Sequence, residues 1–227
     1  MTPAGRPLLI FPCNGNGIEA LDCLGDAYHC VGFVDDTPAK QGTRVHGIAV
    51  HGRVILREQP ETAVLAVPGS PTSYPRRREI IRGLGLPETR FARVVHPSAR
   101  VSPLAVLGHD LLVMAGVVIT ANAVIGDHVC ILPNTVIHHD VMVGEWSLLG
   151  SNVTLAGGVV VEENAYVGSG TSVMNGVRIG TRALVGLGSN VIRDIAAEST
   201  VAGNPARPIG SVRSAAITGR SEGDRPS

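Results

Sequence analysis

Aromatic residues are scarce in this chain: three Phe, three Tyr and one Trp among 227 residues. Large rings cannot carry the core, so Val, Ile, Leu and Ala must fill it. Charge is sparse as well, at 17%, and nineteen Lys and Arg balance nineteen Asp and Glu. That balance excludes the electrostatic footprint of a nucleic-acid binder and a polybasic membrane patch. No apolar run reaches the ~18 residues of a membrane span. The four cysteines, Cys13, Cys23, Cys30 and Cys130, include no CxxC pair. Their spacing argues for free thiols in a reducing cytosol rather than a disulfide frame or a zinc knuckle. The opening MTPAGRPLLIF is too short and too weakly basic for a secretory signal, so a cytoplasmic location is expected.

Glycine and aliphatic residues are abundant, with 28 Gly and an apolar share of 44%. They are also periodic. From Val95 to Val191 an aliphatic residue returns every six positions, through Ile119, Ile125, Ile131, Ile137, Val143, Leu149 and Leu155. A second, mostly small residue follows four places after each, and Gly follows the aliphatic at 108, 126, 144, 150, 168, 180 and 186. Alternation by two is the signature of a strand, and glycine supplies a tight turn. Three such strands and three turns close a triangular coil of eighteen residues. Stacked coils then form a prism with the aliphatic residues inside.

Residues 1–93 lack this beat. PLLIFPC reads as a buried strand, NGNG as a turn into a short helix, and HCVGFVDD as a second strand ending in two carboxylates. TAVLAVPGS is a third buried strand, VHGIAVHG a hairpin or a turn-rich excursion, and SYPRRREIIRGLG helical. Glycines in the first turn and an acid at the end of the second strand are the layout of a Rossmann-like βαβ nucleotide fold. Pro12 stands where the first glycine of the usual fingerprint is expected. Ligands in such folds collect at the carboxyl ends of the strands. Here those ends carry Asn14, Gly15, Asn16, Gly17, Asp35, Asp36, Gly69 and Ser70. The expected organisation is an α/β nucleotide-binding domain over 1–93, an all-β parallel helix over 94–210, and a disordered tail over 211–227.

VIGDHV, MVGEWS and RIGTRA resemble the hexapeptide repeats of left-handed β-helix acyltransferases. A nucleotide-type lobe ahead of the prism, with VAGNPARPIG after it, is similar to the bacterial sugar acetyltransferases of the PglD and NeuD type. The resemblance implies the left hand, a homotrimer, acetyl-CoA as acyl donor and no metal. It also implies a nucleotide-linked amino sugar as acceptor, in cell-surface polysaccharide biosynthesis. In that family a segment like VIxHDxxIG holds the catalytic pair; the matching VIHHDVMVG puts the base on His139 and its acidic partner on Asp140. The matching oxyanion donor is the backbone N–H of Gly157. The implied acyl-CoA contacts are Gly157, Ser169, Gly186 and Leu187. His138 is expected to be incidental, and His96 and His128 to lie at the surface or at a subunit contact. Trp146 is expected either to line a substrate cleft or to play an edge role. Leu148 stands where some relatives carry a second histidine. Imidazole suits the chemistry because it titrates near neutral pH and can take the amine proton during attack on a thioester.

An O-acetyltransferase of sialic acid or of a polysaccharide precursor would use the same base on a hydroxyl. A zinc enzyme of the γ-carbonic-anhydrase kind is also built on such a prism, but it needs three imidazoles, usually with one five residues after another. Val143 and Gly144 stand at that distance from His138 and His139.

Overall fold

The computed structural model describes residues 5–212. Strands β1 (Arg6–Phe11), β2 (Tyr28–Val34), β3 (Arg44–Val45), β4 (Ile48–His51) and β5 (Ala63–Ala66) form one sheet in the order β3-β4-β2-β1-β5. All its pairs are parallel except the β3–β4 hairpin. Helices α1 (Gly15–Glu19), α2 (Ile55–Glu58) and α3 (Arg77–Arg82) connect and flank the strands. The run LLIF in β1 is buried on both sides of the sheet, which is why it shows no alternation.

Strand β6 (Arg93–Val95) leaves this lobe and pairs with Leu111–Val113, the first of a long ladder. From there the chain winds in coils of eighteen residues: Val118 pairs with Val136, Val124 with Met142, and Cys130 with Leu148. Three parallel sheets result, consistent with a left-handed β-helix. The residues of the six-residue series line its interior, with Ile119, Ile125, Ile131, Ile137, Leu149, Leu155 and Val167 essentially inaccessible. Two-residue strands suffice because each continues a ladder above and below, so few backbone groups are left without partners.

The three corners follow from the same arithmetic. One stacks residues 121–122, 139–140, 157–158 and 175–176; a second stacks 133–134, 151–152, 169–170 and 187–188; the third stacks 109–110, 127–128, 145–146, 163–164 and 181–182. The second residue of most turns has positive φ, as at Asn122, Asn134, Asp140, Asn152 and Asn164, and Gly158, Gly170, Gly176 and Gly188 continue the columns. Asn, Asp and Gly are the residues that enter this region most easily.

The lobe packs on one face of the prism. Leu112, Cys130 and Leu148 point outward from that face and are buried against Leu8, Ile10, Cys23 and Leu65 of the lobe, with Tyr166 beside them. The two parts thus share a core. Beneath the sheet's far edge lies a buried polar strut. Asp110 accepts the Ala66 N–H at 2.7 Å and the His128 Nδ1–H at 2.8 Å. Burial pushes the Asp110 carboxyl up, against the pull of His128, the Ala66 amide and Arg77. The fully buried Arg77 donates to the carbonyls of His128 and Pro68. His128 is therefore not a surface residue: its ring is stacked on Trp146 at 3.9 Å and meets Phe91 at 5.0 Å. Trp146, 5% exposed, packs the edge of the joint. His96 is half-buried and holds Ser98 through its Nδ1. Leu148 sits in the packed face and touches the lobe near Gly69.

The last strand, Arg207–Ser211, returns antiparallel to Ser199–Ala202. Ser211 thus belongs to a strand, and Val212 is buried with its N–H on the Glu198 carbonyl. The remainder of the expected tail lies outside the described residues. Among the described residues no helix is long and apolar enough to cross a membrane.

Candidate active site

The turn after strand Val136–Ile137 sends His138 and His139 outward, and Asp140 takes the positive-φ position of the corner with φ +60°. Asp140 Oδ2 lies 2.8 Å from His139 Nδ1. Its Oδ1 accepts from the Asn122 side chain, one coil earlier, at 3.0 Å. Hydrogen bonds from His139 and then Asn122 hold the Asp140 carboxyl below its ordinary value. An ionised carboxylate on Nδ1 keeps the proton there and leaves Nε2 with a free lone pair. The arrangement is an imidazole with a fixed tautomer and Nε2 left as an acceptor.

One coil later, Gly157 lies against the ring. A Cβ built there would stand 2.5 Å from His139 Cε1 and 2.6 Å from Nε2, so no other residue leaves the ring in place. The backbone is continuous through this stack: Gly158 N–H donates to the His139 carbonyl and Gly176 N–H to that of Gly157. Gly157 N–H is on no carbonyl among the described residues, which leaves a free donor on the residue that lies against the His139 ring. His138 is exposed, with its N–H on the Leu155 carbonyl.

The other expected residues fall elsewhere in the single chain. Ser169 and Leu187 are exposed at the second corner, with Gly186 just before it, while His139 and Gly157 share the first. Ser169 Oγ accepts the Ser151 N–H at 3.1 Å. At the strand ends of the lobe, Asn14 caps α1 by accepting the Gly17 N–H at 2.9 Å, and Gly17 packs so closely that a Cβ would strike the Pro12 carbonyl. Gly15 is exposed with open space beside it. Asn16 reaches the carbonyls of Val67 and Gly69 at 3.5 Å, and Ser70 bonds Thr72 and Ser73. Asp35, 3% exposed, accepts from the Thr37 N–H at 2.9 Å and from Lys40 at 3.1 Å. Burial pushes its carboxyl up, but the Thr37 and Lys40 hydrogen bonds prevail and hold it below its ordinary value. Asp36 is clamped by Arg53 through two bonds of 2.6 Å. Both acids thus have internal partners, whereas Gly15 stands exposed at the same strand ends.

Asn122, Arg77 and Asp110 escaped the reading of motifs. Asn122 was within reach, because it precedes Asp140 by one eighteen-residue coil. Arg77 and Asp110 meet only through the packing of lobe on prism. Among the described residues no group of three His, Cys, Asp or Glu could hold a metal ion.

The family described as bacterial transferase hexapeptide (six repeats) matches residues 122–157, the stretch that carries Asn122, His139, Asp140 and Gly157. A search of curated proteins found no match. Among solved structures, the chain is similar to a perosamine N-acetyltransferase from Caulobacter crescentus, a histidine-to-asparagine variant in complex with CoA and GDP-perosamine. It is 34% identical, with a TM-score of 0.76 over 91% of this chain and 98% of that one. The acetyltransferase domain of PglB from Neisseria gonorrhoeae FA1090, in complex with acetyl coenzyme A, is 26% identical, with a TM-score of 0.78 over 91% and 100%. WeeI from Acinetobacter baumannii AYE shares the fold at 21% identity, with a TM-score of 0.75 over 91% and 100%. A prism of hexapeptide coils, a leading lobe and this extent of likeness converge: the chain belongs to the left-handed β-helix, hexapeptide-repeat family of sugar acetyltransferases.

Proposed function

We propose that the protein transfers an acetyl group from acetyl-CoA to the amino group of a nucleotide-linked amino sugar, with His139 as general base. The observation that carries the reading is the His139–Asp140 pair set directly over Gly157. The neutral amine attacks the thioester carbonyl, forming the C–N bond and a tetrahedral oxyanion. The proton lost by nitrogen goes to His139 Nε2, and Asp140 steadies the imidazolium through Nδ1. The Gly157 N–H donates to the oxyanion. Collapse breaks the C–S bond, and the proton on Nε2 passes to the departing sulfur. No acyl-enzyme forms, and none of the cysteines is called upon. Burial pushes the Cys23 and Cys30 thiols up to about 11 and Cys130 to about 12, away from the nucleophilic thiolate.

Support for a nucleotide-linked acceptor comes from the GDP-perosamine bound by the Caulobacter protein and from the parallel β2-β1-β5 core of the lobe, a Rossmann-like arrangement. We infer in addition that the working unit is a homotrimer. The His139 corner is the one opposite the face on which the lobe packs. A sugar held at the strand ends of one lobe is then remote from His139 of the same chain and must be served by a neighbour's. Val106, Val124 and Met142, stacked outward on the face beside the His139 corner, are 62%, 38% and 52% exposed and offer the apolar surface to be covered. Such a trimer also lets Ser169, Gly186 and Leu187 of one copy face the Gly157 of another across an acyl-CoA groove.

The test is thiol release from acetyl-CoA against a panel of nucleotide-linked amino sugars and matched hydroxy sugars. Turnover confined to amino acceptors and lost in His139→Ala is expected. Turnover unchanged in that variant would discard the mechanism.

A further inference from the structure

Between α3 and the corner that carries Trp146 lies a cavity of about 430 Å³ whose wall contains none of the residues given a role in the proposed acetyl transfer. Its wall holds Arg78, Arg82, Arg182 and Asn164, with Glu79 and Glu163. Three guanidinium groups thus meet two carboxylates. Arg78 reaches Glu163 at 3.1 Å through one terminal nitrogen, Glu79 pairs outward with Arg76 at 3.6 Å, and Arg82 lies over the Trp146 ring at 5.5 Å. Arg182 Nε is ion-paired with Glu198 at 3.6 Å, longer than a hydrogen bond, and a terminal nitrogen donates to the Pro75 carbonyl at 3.4 Å.

Three buried polar atoms around this cavity have no hydrogen-bond partner among the described residues: Nε of Arg78, Nε of Arg182 and Oδ1 of Asn164. Asn164 is only 3% exposed, and its amide is oriented because Nδ2 donates to the Pro75 carbonyl at 3.2 Å. A buried donor or acceptor without a partner costs the chain stability, and three around one cavity are unusual in a folded protein. They specify what would satisfy them. The occupant must accept from two guanidinium N–H groups and must donate to an amide oxygen. A carboxylate or a sulfate accepts but has no proton to give near neutral pH. A singly protonated phosphate group does both, and arginine is the residue best matched to its oxygens.

We propose that this cavity is a binding site for a phosphate group, held by Arg78, Arg82 and Arg182 with its P–OH on Asn164. The cavity has room for the phosphate and part of a molecule that bears it. The wall belongs to the segment that runs from the Ser70 turn into α3, so occupancy fastens the acceptor side of the lobe to the prism. The assignment does not depend on the acetyl-transfer reading, because its test reads binding alone.

Isothermal titration of the full chain with orthophosphate is expected to show saturable binding, and sulfate to bind markedly more weakly. Arg182→Gln is expected to weaken phosphate about 10- to 100-fold, as loss of a charge-assisted bond does. Asn164→Asp is expected to abolish binding, since a carboxylate replaces the acceptor and repels the anion. Equal affinity for sulfate, or wild-type affinity in both variants, would overturn the proposal. If either variant fails to fold, amide exchange of the wild-type chain decides. Phosphate must protect residues 74–82 and 163–164, and protection confined to other segments would overturn it. Displacement of bound phosphate by CoA, but not by CoA lacking its 3′-phosphate, would assign the group to the acyl donor. Displacement by neither would assign it to free phosphate or to a separate phosphorylated molecule.

Discussion

Asp140 meets two demands with one side chain. The corner needs a residue that accepts φ +60°, and the proposed mechanism needs a carboxylate on the imidazole's Nδ1. Asp140→Asn keeps the first and loses the second, since an amide can donate to Nδ1 and favour the wrong tautomer. We expect correct folding with kcat/KM reduced about 10²- to 10⁴-fold, checked by circular dichroism beside steady-state kinetics. Gly157→Ala tests the other side of the ring. Its Cβ would stand 2.6 Å from Nε2, and the exposed ring is free to swing out. We expect the thermal midpoint to change little while kcat falls about 10²-fold or more, the usual consequence of displacing a catalytic group. That His139 and Asp140 stand at an outward corner was legible in VIHHDVMVG, because the hexapeptide phase tells a corner from an inward strand; the role proposed for them came from the family resemblance. The fate of His128 was not legible, although it too stands at a corner beside an acid. It enters the joint only because the lobe covers its corner.

At the level of the element, a coil of two-residue strands has little stability of its own and depends on its neighbours above and below. Ile137 and Leu155 are fully buried in successive coils. Replacement of either by Ala should cost about 2–5 kcal/mol and should be felt along the stack, as a lowered denaturation midpoint by chemical unfolding. In the lobe, the loop after β2 is tied by Asp35, whose folded-state carboxyl is held below its ordinary value of 3.8. The sign follows from linkage. The folded form releases the proton more readily, so the contribution is fully present above the unfolded value and is lost as pH falls through the lowered folded one. We expect the acid limb of the wild-type stability curve to flatten in Asp35→Asn, measured by thermal midpoints across the acidic range. The long strands and the helix over the REII stretch were readable from local pattern, and of the two readings left open for VHGIAVHG the structure has the hairpin. Asp35 as an internal anchor was not readable, because the Lys40 that engages it is brought close only by the turn that follows.

For the whole molecule, the chain's own lobe and its own His139 lie on opposite sides of the prism, and this geometry makes assembly part of the proposed chemistry. Met142→Glu should separate the copies in sedimentation analysis, leave the coil spectrum intact and remove turnover, because a charge in the apolar column is costly to bury. By itself the sequence determined the prism. A six-residue beat of aliphatics with turn-forming residues between them admits one way to hide the first and expose the second, and it sets His139, Asp140 and Gly157 at a single corner. Only the tertiary structure decided what the period is silent about: which face the lobe covers, that Asp110, His128 and Arg77 meet beneath it, and that the His139 corner looks away from it. Those outcomes depend on contacts between residues far apart in the chain, where packing rather than local pattern selects the partner.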